Sequence, residues 1–433
     1  MSLLRRITPW MILAVAMTLA AGDEAPQTTL SIALGGLCED YIEPCGCGGR
    51  TAGGLARRGA MIEQWRAETG QAHVLIEAGS LGMSEDRRPL IARCLALFGV
   101  DAVALSSSDL EDWARLAPLL AEHALGATCL TPPVQPPGRD GPPPPAVSRV
   151  VEAGGGWRVG VLSAAVGALA TVDLSDAVAA ETRRLHQAEH CAVVVLVSHL
   201  ADDETSRLLG RLAEAERPDL IALATEADLV QAPDQRLGRP WVYLCHRGRS
   251  FSTAVFKPGA PPAVTTQLVD EGARKAAIVA LVDEYYRQMR EGETAAAVRD
   301  ADVKYPRPAA CAGCHAKAVA AWRLHPHARA VTTLEHLGRD VAGCLRCHDE
   351  TLRRAGVRPA ATGDRGVQCA TCHARLEEHL KAPQTHRPSS LDRGGCEGCH
   401  TAENSPHWDY EAYRANVVGA CGGRPQTRLH PEP

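Results

Sequence analysis

Cys311-Ala-Gly-Cys314-His315 recurs, with only its two middle residues changed, as Cys344-Leu-Arg-Cys347-His348, Cys369-Ala-Thr-Cys372-His373 and Cys396-Glu-Gly-Cys399-His400. Cys-x-x-Cys-His is the attachment signature of a c-type haem. Its two thiols add to the two vinyl groups of one porphyrin, and the adjoining imidazole is brought under the iron as an axial ligand. A single Cys-x-x-Cys reads equally well as half a zinc site or a redox dithiol. Four copies, each followed at once by His, do not, because zinc needs no His at that place. The sequence therefore predicts four covalent haem c groups, with iron as the metal, between residues 304 and 433. Such a region needs little side-chain core, since the macrocycles supply the buried apolar surface. A mainly α or irregular multihaem domain is expected there.

The second axial ligands are sought among the remaining side chains. His315, His348, His373 and His400 are proximal by position, and the nearest Met, Met289, lies in a preceding helical pattern, so paired imidazoles are the default. The distal candidates are His325, His327, His336, His379, His386, His407 and His430. His325, His336, His386, His407 and His430 read equally as ordinary surface histidines.

Residues 304–418 resemble the tetrahaem cytochrome c family whose best known member takes electrons from hydroxylamine oxidoreductase in ammonia-oxidising bacteria. Besides the attachment motifs, the resemblance is carried by Trp322-Arg-Leu-His325-Pro-His327-Ala328-Arg-Ala330, by Gly366-Val-Gln-Cys369 with His379 beyond it, and by Asn404-Ser405-Pro406-His407-Trp408-Asp409-Tyr410. It implies haems packed closely enough to pass electrons along the chain, with His327 and His379 as distal ligands and redox proteins as partners. One departure stands out. Where the family commonly ends with Tyr-Trp-x-x-x-x-His, this chain has Tyr413-Arg-Ala-Asn-Val-Val-Gly419. A haem ligated from there must take a substitute such as His407 or remain open to a small ligand.

The rest of the chain sets the compartment and a second domain. Arg5 and Arg6 followed by an apolar run from Ile7 to Ala21 read as a signal peptide over 1–22, too short for a comfortable membrane span. Export, to a periplasm or its equivalent, suits covalent haem attachment. A net charge of −5 gives no basic footprint for nucleic acid, and 45% hydrophobic with 22% charged residues is ordinary globular material for 433 residues. Residues 26–268 alternate strand-like runs (28–34, 73–77, 101–105, 158–162, 191–197, 220–223, 241–244) with helical patterns such as 54–67, 87–98 and 203–216. That alternation predicts a layered α/β domain with a largely buried sheet. The Pro-rich stretch 131–145 reads as a surface insertion, and Ile278, Leu281, Val282, Tyr285 and Met289 mark a helix in 269–303 that connects the domains or packs on the sheet.

Glu43-Pro44-Cys45-Gly46-Cys47, followed by Gly53-Gly54-Leu55-Ala56-Arg57-Arg58, is similar to a bacterial group related to secreted 5′-nucleotidases and other calcineurin-like metallophosphoesterases, often fused to multihaem cytochromes. The resemblance implies a phosphoesterase-like fold over roughly 28–269. Two-metal phosphoesterases need ligands at strand ends: Asp-x-His, Gly-Asp, Gly-Asn-His, a lone His and Gly-x-His. Here those places hold Gly35-Gly36-Leu37-Cys38, Glu77-Ala78-Gly79-Ser80, Ser106-Ser107-Ser108-Asp109, His199, and Ala224-Thr225-Glu226-Ala227. One matching ligand cannot hold two metal ions, so no hydrolysis is expected. Cys38, Cys45, Cys47 and His199, with Cys245 and His246, fall at or just after strand ends and could share a soft zinc or copper ion or act as redox thiols. A disulfide from Cys38 to Cys45 or Cys47, with buried thiols at Cys94, Cys129, Cys191 and Cys245, explains them equally.

Two function classes remain: an electron carrier with an inert phosphoesterase-like docking domain, or an enzyme acting at an open iron or an atypical metal site. In either case each motif should carry its own haem. Intact mass and pyridine haemochrome absorbance of the matured protein are expected to give four haems per chain; fewer would overturn the motif reading.

Overall fold

The computed structural model describes residues 28–44, 52–70, 72–131, 141–165, 173–227, 230–295, 303–356, 365–401, 404–405 and 408–422. The expected signal peptide, most of the Pro-rich stretch, and Cys45, Cys47, His407 and His430 lie outside the described residues. Two compact units emerge: residues up to Tyr41 together with Arg58–Val269, and Ile42–Arg57 together with residues from Asp270 onward.

The first unit is the expected layered α/β structure. Its strands are β1 (Leu30–Gly35), β2 (His73–Glu77), β3 (Ala102–Ala104), β4 (Ala127–Thr128), β5 (Ser148–Glu152), β6 (Arg158–Ala164), β7 (Val193–Ser198), β8 (Leu220–Thr225), β9 (Asp234–Arg236), β10 (Arg239–Cys245), β11 (Ser250–Lys257) and β12 (Ala260–Leu268). They form two six-stranded sheets, ordered β12-β11-β1-β2-β3-β4 and β5-β6-β7-β8-β10-β9. Within them β1 to β4 run parallel, as do β6, β7, β8 and β10, while the flanking strands are antiparallel. The helices are α1 (Leu55–Thr69), α2 (Arg88–Phe98), α3 (Ser107–Glu111), α4 (Trp113–Glu122), α5 (Leu174–Gln187) and α6 (Asp202–Gly210).

The near-continuous apolar strands are explained by two buried faces. In β7, Val193, Val195 and Val197 join Leu30, Ile32 and Leu34 of β1, Val74 and Ile76 of β2, and Val242 and Leu244 of β10 in a core drawn from both sheets. The alternate residues Val194 and Leu196 meet Val178 and Leu185 of α5 and Leu208 and Leu209 of α6. This period of two fixes the register, because a one-residue slip would exchange the two cores.

Two local features differ from the sequence expectation. The helix expected to reach Glu216 ends at Gly210, and a 3-10 turn at Glu214–Glu216 follows. The β11–β12 hairpin had no apolar signature: β12 is largely exposed, and Thr253 pairs with Thr265 across the ladder through their hydroxyls at 2.8 Å. Pro258-Gly259 turns the chain, with Gly259 at φ +73°, a value that suits glycine.

The second unit is mainly helical, with α7 (Ala276–Ala295), α8 (Pro308–Leu324), α9 (Ala330–Leu337), α10 (Ala342–His348), α11 (Glu350–Ala355), α12 (Cys369–Cys372), α13 (Leu376–Lys381), α14 (Arg393–Glu397) and α15 (Tyr410–Cys421), and two-residue strands β13 (His373–Ala374) and β14 (Ser389–Ser390). Among the described residues a small apolar cluster, Val331, Leu334, Leu345 and Leu352, packs within it. Buried charges do much of the rest. Asp349 caps α11 through the amides of Thr351 and Leu352 and pairs with Arg365 at 2.8 Å, and Glu350 pairs with Arg353 and Arg354.

Ile32 is fully buried in the core shared by the two sheets. Ile32→Ala is expected to destabilise the first unit by about 2–5 kcal/mol, read as a lower urea midpoint in far-ultraviolet circular dichroism. An unchanged midpoint would show that the inter-sheet layer does not carry its stability.

Candidate haem centres and a buried ion pair at the strand ends

In the first unit the carboxyl ends of the parallel strands, where open α/β sheets collect ligands, are filled from within. Arg58 of α1 reaches Glu77 at the end of β2, its Nη2 donating to Oε2 at 2.9 Å. Arg58 Nη1 donates to Cys38 Sγ at 3.5 Å, and the Cys38 thiol lies 3.7 Å from Glu77 Oε1. All three side chains are buried, and the guanidinium also stacks 5.1 Å from the centroid of Phe98. Burial pushes the Cys38 thiol up to about 12, so it is neither a nucleophile nor a ready metal ligand at neutral pH. Gly36 permits this closure: at φ +136° a Cβ there would lie 2.6 Å from the Ala78 amide nitrogen.

The neighbouring strand ends are likewise engaged internally. The Asp109 carboxylate accepts from the amides of Ser80 (2.7 Å), Leu81 (3.0 Å) and Ser106 (2.9 Å). His199 Nε2 faces the Ala104 carbonyl at 3.3 Å and so carries the proton, and burial lowers its pKa. His246 Nδ1 sits 3.4 Å from the Glu39 carboxylate. Among the described residues no group of three or more His, Cys, Asp or Glu side chains is placed to hold a metal ion. Of the soft-metal candidates, Cys38 belongs to the ion-pair cluster, His199 bonds to a backbone carbonyl, and Cys45 and Cys47 lie outside the described residues. Cys38, Cys94, Cys129 and Cys191 are buried free thiols, and Cys245 is buried. The Arg58–Glu77 pair was not foreseen. Its signal was an arginine in the Gly-Gly-Leu-Ala-Arg-Arg motif together with a carboxylate closing a fully apolar strand.

In the second unit each attachment motif sits on or beside a helical turn, which brings cysteines three apart to one side. Cys311, Cys314 and His315 lie in α8, whose backbone breaks at His315 (φ −119°, ψ 40°). Cys344, Cys347 and His348 end α10; Cys369 and Cys372 bound α12, with His373 next; Cys396 lies in α14, with Cys399 and His400 just beyond. The motifs lie close to one another in series. Cys311 meets Cys369 and Cys347 meets Cys399 through their thiols, Cys372 lies near Cys396 and Cys399, His373 near His315, and His400 near His348.

Two imidazole pairs face each other across these turns. The ring centroids of His315 and His379 are 6.2 Å apart, and those of His400 and His327 are 6.1 Å apart. An iron bonded to one nitrogen of each ring at about 2 Å sets the centroids about 6 Å apart. Hydrogen bonds at Nδ1 prepare the rings. His379 meets the His386 carbonyl at 2.6 Å, His348 meets the Ala330 carbonyl at 3.1 Å, and His400 meets Ser405 Oγ at 3.0 Å. A carbonyl only accepts, so for His379 and His348 the proton is on Nδ1 and Nε2 keeps its lone pair. Burial, and next the neighbouring His325, His400 and His348, push His327 down to about 3, which keeps it in the neutral, metal-binding form. Trp408 stacks on His400 at 5.2 Å with the rings 5° from parallel. The donor set therefore fits covalently held haems with paired imidazoles. Of the remaining candidates, His336 and His386 are exposed and His325 is buried. A Cβ added at Gly419 would meet nothing within 4 Å.

Comparison with known proteins places both units in a class. Residues 310–374, which span the first three motifs, match the family model described as cytochrome c554 and c-prime. The chain is similar in fold to the 5′-nucleotidase precursor from Thermus thermophilus (15% identity, TM-score 0.51, covering 61% of this chain and 59% of that one). Further similar structures are Thermus thermophilus sulfate thiohydrolase SoxB in complex with glycerol (16%, 0.48, 66% and 63%) and the calcineurin-like phosphoesterase YfkN from Bacillus subtilis (13%, 0.47, 61% and 98%). No curated protein matches the chain. The chain thus shares a fold with the 5′-nucleotidase precursor and carries, at residues 310–374, a stretch that matches a c-type cytochrome family model. It spans less than two thirds of the length of the two Thermus structures, and at these identities the likeness is one of fold alone.

Removing Arg58 leaves Glu77 buried without its cation. Arg58→Met is expected to cost about 3–5 kcal/mol, and Arg58→Met with Glu77→Leu to recover most of it. Without the arginine, burial holds the folded pKa of Glu77 above its unfolded value of about 4.3, so the single variant keeps its stability in acid and loses it as pH rises through the raised value. Urea denaturation at acidic and neutral pH checks both, and a single variant as stable as the parent at neutral pH refutes them.

Proposed function

We propose that this protein is an exported multihaem electron carrier whose phosphoesterase-like unit is catalytically inert and serves for docking or scaffolding. The observation that carries the reading is the pair of facing imidazoles, His315 with His379 and His400 with His327, each built on a Cys-x-x-Cys-His turn. When bound, haem c supplies reversible one-electron transfer. The chain's own residues do the rest. Cys311, Cys314, Cys344, Cys347, Cys369, Cys372, Cys396 and Cys399 hold four macrocycles, and His315, His348, His373 and His400 ligate from one side. His327 and His379 ligate two of the haems from the other side. The approach of first motif to third, third to fourth and fourth to second supports a continuous path for electrons, with a redox protein as donor and another as acceptor.

Export is supported by the apolar leader and by the need for covalent attachment outside the reducing cytosol. No helix among the described residues is long and apolar enough to cross a membrane. Inertness of the first unit is supported by Arg58, whose guanidinium satisfies the carboxylate at the end of β2, and by Asp109, whose oxygens are bonded to backbone amides. A second reading, reduction of a small ligand at an open iron, draws on Gly419, where the related family carries a His.

Electron paramagnetic resonance of the oxidised protein tests the carrier reading. His379→Ala and His327→Ala should each convert one low-spin signal to high-spin while the intact mass still shows four haems. If neither changes the spectrum, the ligand assignment fails; a high-spin signal in the unaltered protein that shifts with nitric oxide favours the second reading. Phosphate monoesters with manganese or zinc should give no turnover above background, whereas turnover abolished by His199→Ala would overturn the inert assignment.

A further inference from the structure

Two residues before His327 stands a second histidine, His325, whose place in the fold differs from that of a surface residue. α8 ends at Leu324, His325 is extended (φ −74°, ψ 145°) and 7% exposed, and Pro326–Arg329 form one 3-10 turn. The backbone N–H of His327 donates to His325 Nδ1 at 3.2 Å, and the two ring centroids are 4.9 Å apart. On the other side of the same residue, the Val367 N–H donates to the His327 carbonyl at 2.9 Å, and Trp322 Nε1 donates to the Val367 carbonyl at 2.9 Å. Gly366 makes this approach possible: at φ +119° any Cβ there would lie 2.8 Å from the His327 carbonyl oxygen. The peptide of His327 is thus gripped at both ends, by a side chain on the N–H and by a backbone amide on the carbonyl.

Proton inventory then separates the two neighbouring rings. A backbone N–H can only donate, so Nδ1 of His325 presents its lone pair, and the neutral ring carries its proton on Nε2. A protonated Nε2 has no lone pair for iron. His325 in this position is therefore not an axial ligand, although sequence alone gives it the same standing as His327.

We propose that His325 is a positioning residue, whose Nδ1 caps the turn bearing His327 and so aims the His327 imidazole at the iron that His400 ligates. The inference rests on His327 being the distal ligand of that haem. Nδ1 of His is three bonds from Cα, as is Oδ1 of Asn, and Asn is among the preferred caps. An Asn at this place keeps the acceptor and discards the ring; a Leu keeps bulk and discards the acceptor.

The test uses the matured four-haem protein and low-temperature electron paramagnetic resonance. His325→Leu should raise the high-spin fraction of one haem about fivefold, the scale of one lost cap, and added imidazole should restore the low-spin signal. His325→Asn should leave the spectrum as in the unaltered protein. Conversion of one haem to fully high-spin by both His325→Leu and His325→Asn would overturn the proposal, since the ring would then be the ligand. An unchanged spectrum in both would overturn it too, since the cap would have no hold on His327. His327→Ala separates the premise: if it leaves all haems low-spin, the ligand reading fails independently of the cap. Should His325→Leu not mature with four haems, His325→Ala, which also lacks the acceptor, is read in the same way.

Discussion

An iron held between two imidazoles fixes their rings about 6 Å apart, and each ring must arrive neutral with the right nitrogen bare. In the proposed carrier that demand joins segments distant in sequence, His400 to His327 and His315 to His379, whose rings stand at that separation. Among the described residues of the second unit one small apolar cluster is too little to order its four Cys-x-x-Cys-His turns by side-chain packing alone. The unit uses buried charges with defined partners. Asp349 and Glu350 are both 1% exposed; Asp349 ties the start of α11 to Arg365, Glu350 pairs within α11 with Arg353 and Arg354, and Thr371 beside Cys372 donates to Glu350 at 2.9 Å, which links the third Cys-x-x-Cys-His turn to the same network. Ion pairs of this kind confer direction more than net stability, which suits a unit whose apolar mass comes from its haems.

The first unit solves the opposite problem. Its two sheets bury apolar side chains on both faces, and stability comes from packing. The strand ends, where such a sheet offers its binding place, are occupied by Arg58, Glu77 and Cys38. A carboxylate left alone there would be costly, and the guanidinium removes both the cost and the free charge that a metal ion would need. The motif that suggested a phosphoesterase relationship is used structurally. Glu43 accepts from Arg339 at 2.6 Å and from Arg274 at 2.9 Å within the second unit, Gly54 is so close to Pro44 that a Cβ would lie 2.5 Å from its ring, and Arg58 closes the strand ends of the first.

What the sequence made legible follows from how local each signal is. Cys-x-x-Cys-His is complete within five residues, so the proposed attachment sites can be named without any tertiary information. Strands buried on both faces, such as β7 and β8, announce themselves as apolar runs, whereas the largely exposed β12 is made mostly of threonine, proline and small residues and leaves no such trace, and β11, although mostly buried, breaks its apolar run with Ser252 and Thr253. His327 and His379 were named as ligand candidates, but which proximal ring each faces depends on tertiary packing and has no local signature. The Arg58–Glu77 pair spans 19 residues and joins a helix to a strand end, a contact that composition and periodicity do not encode.

His325 and His327 show where residue type stops being informative. Both are histidines, two apart, in one turn; one ring has its Nδ1 lone pair engaged by a backbone amide, and the other is kept uncharged first by its burial and then by three neighbouring imidazoles. The difference lies in which nitrogen meets which backbone group, and that is settled by the break after α8, by Pro326, and by the close approach that Gly366 allows. On the proposed assignment ligand and support stand within three consecutive residues, and the same accounting of donors and acceptors leaves His379 and His348, each bonded through Nδ1 to a carbonyl, with the other nitrogen bare.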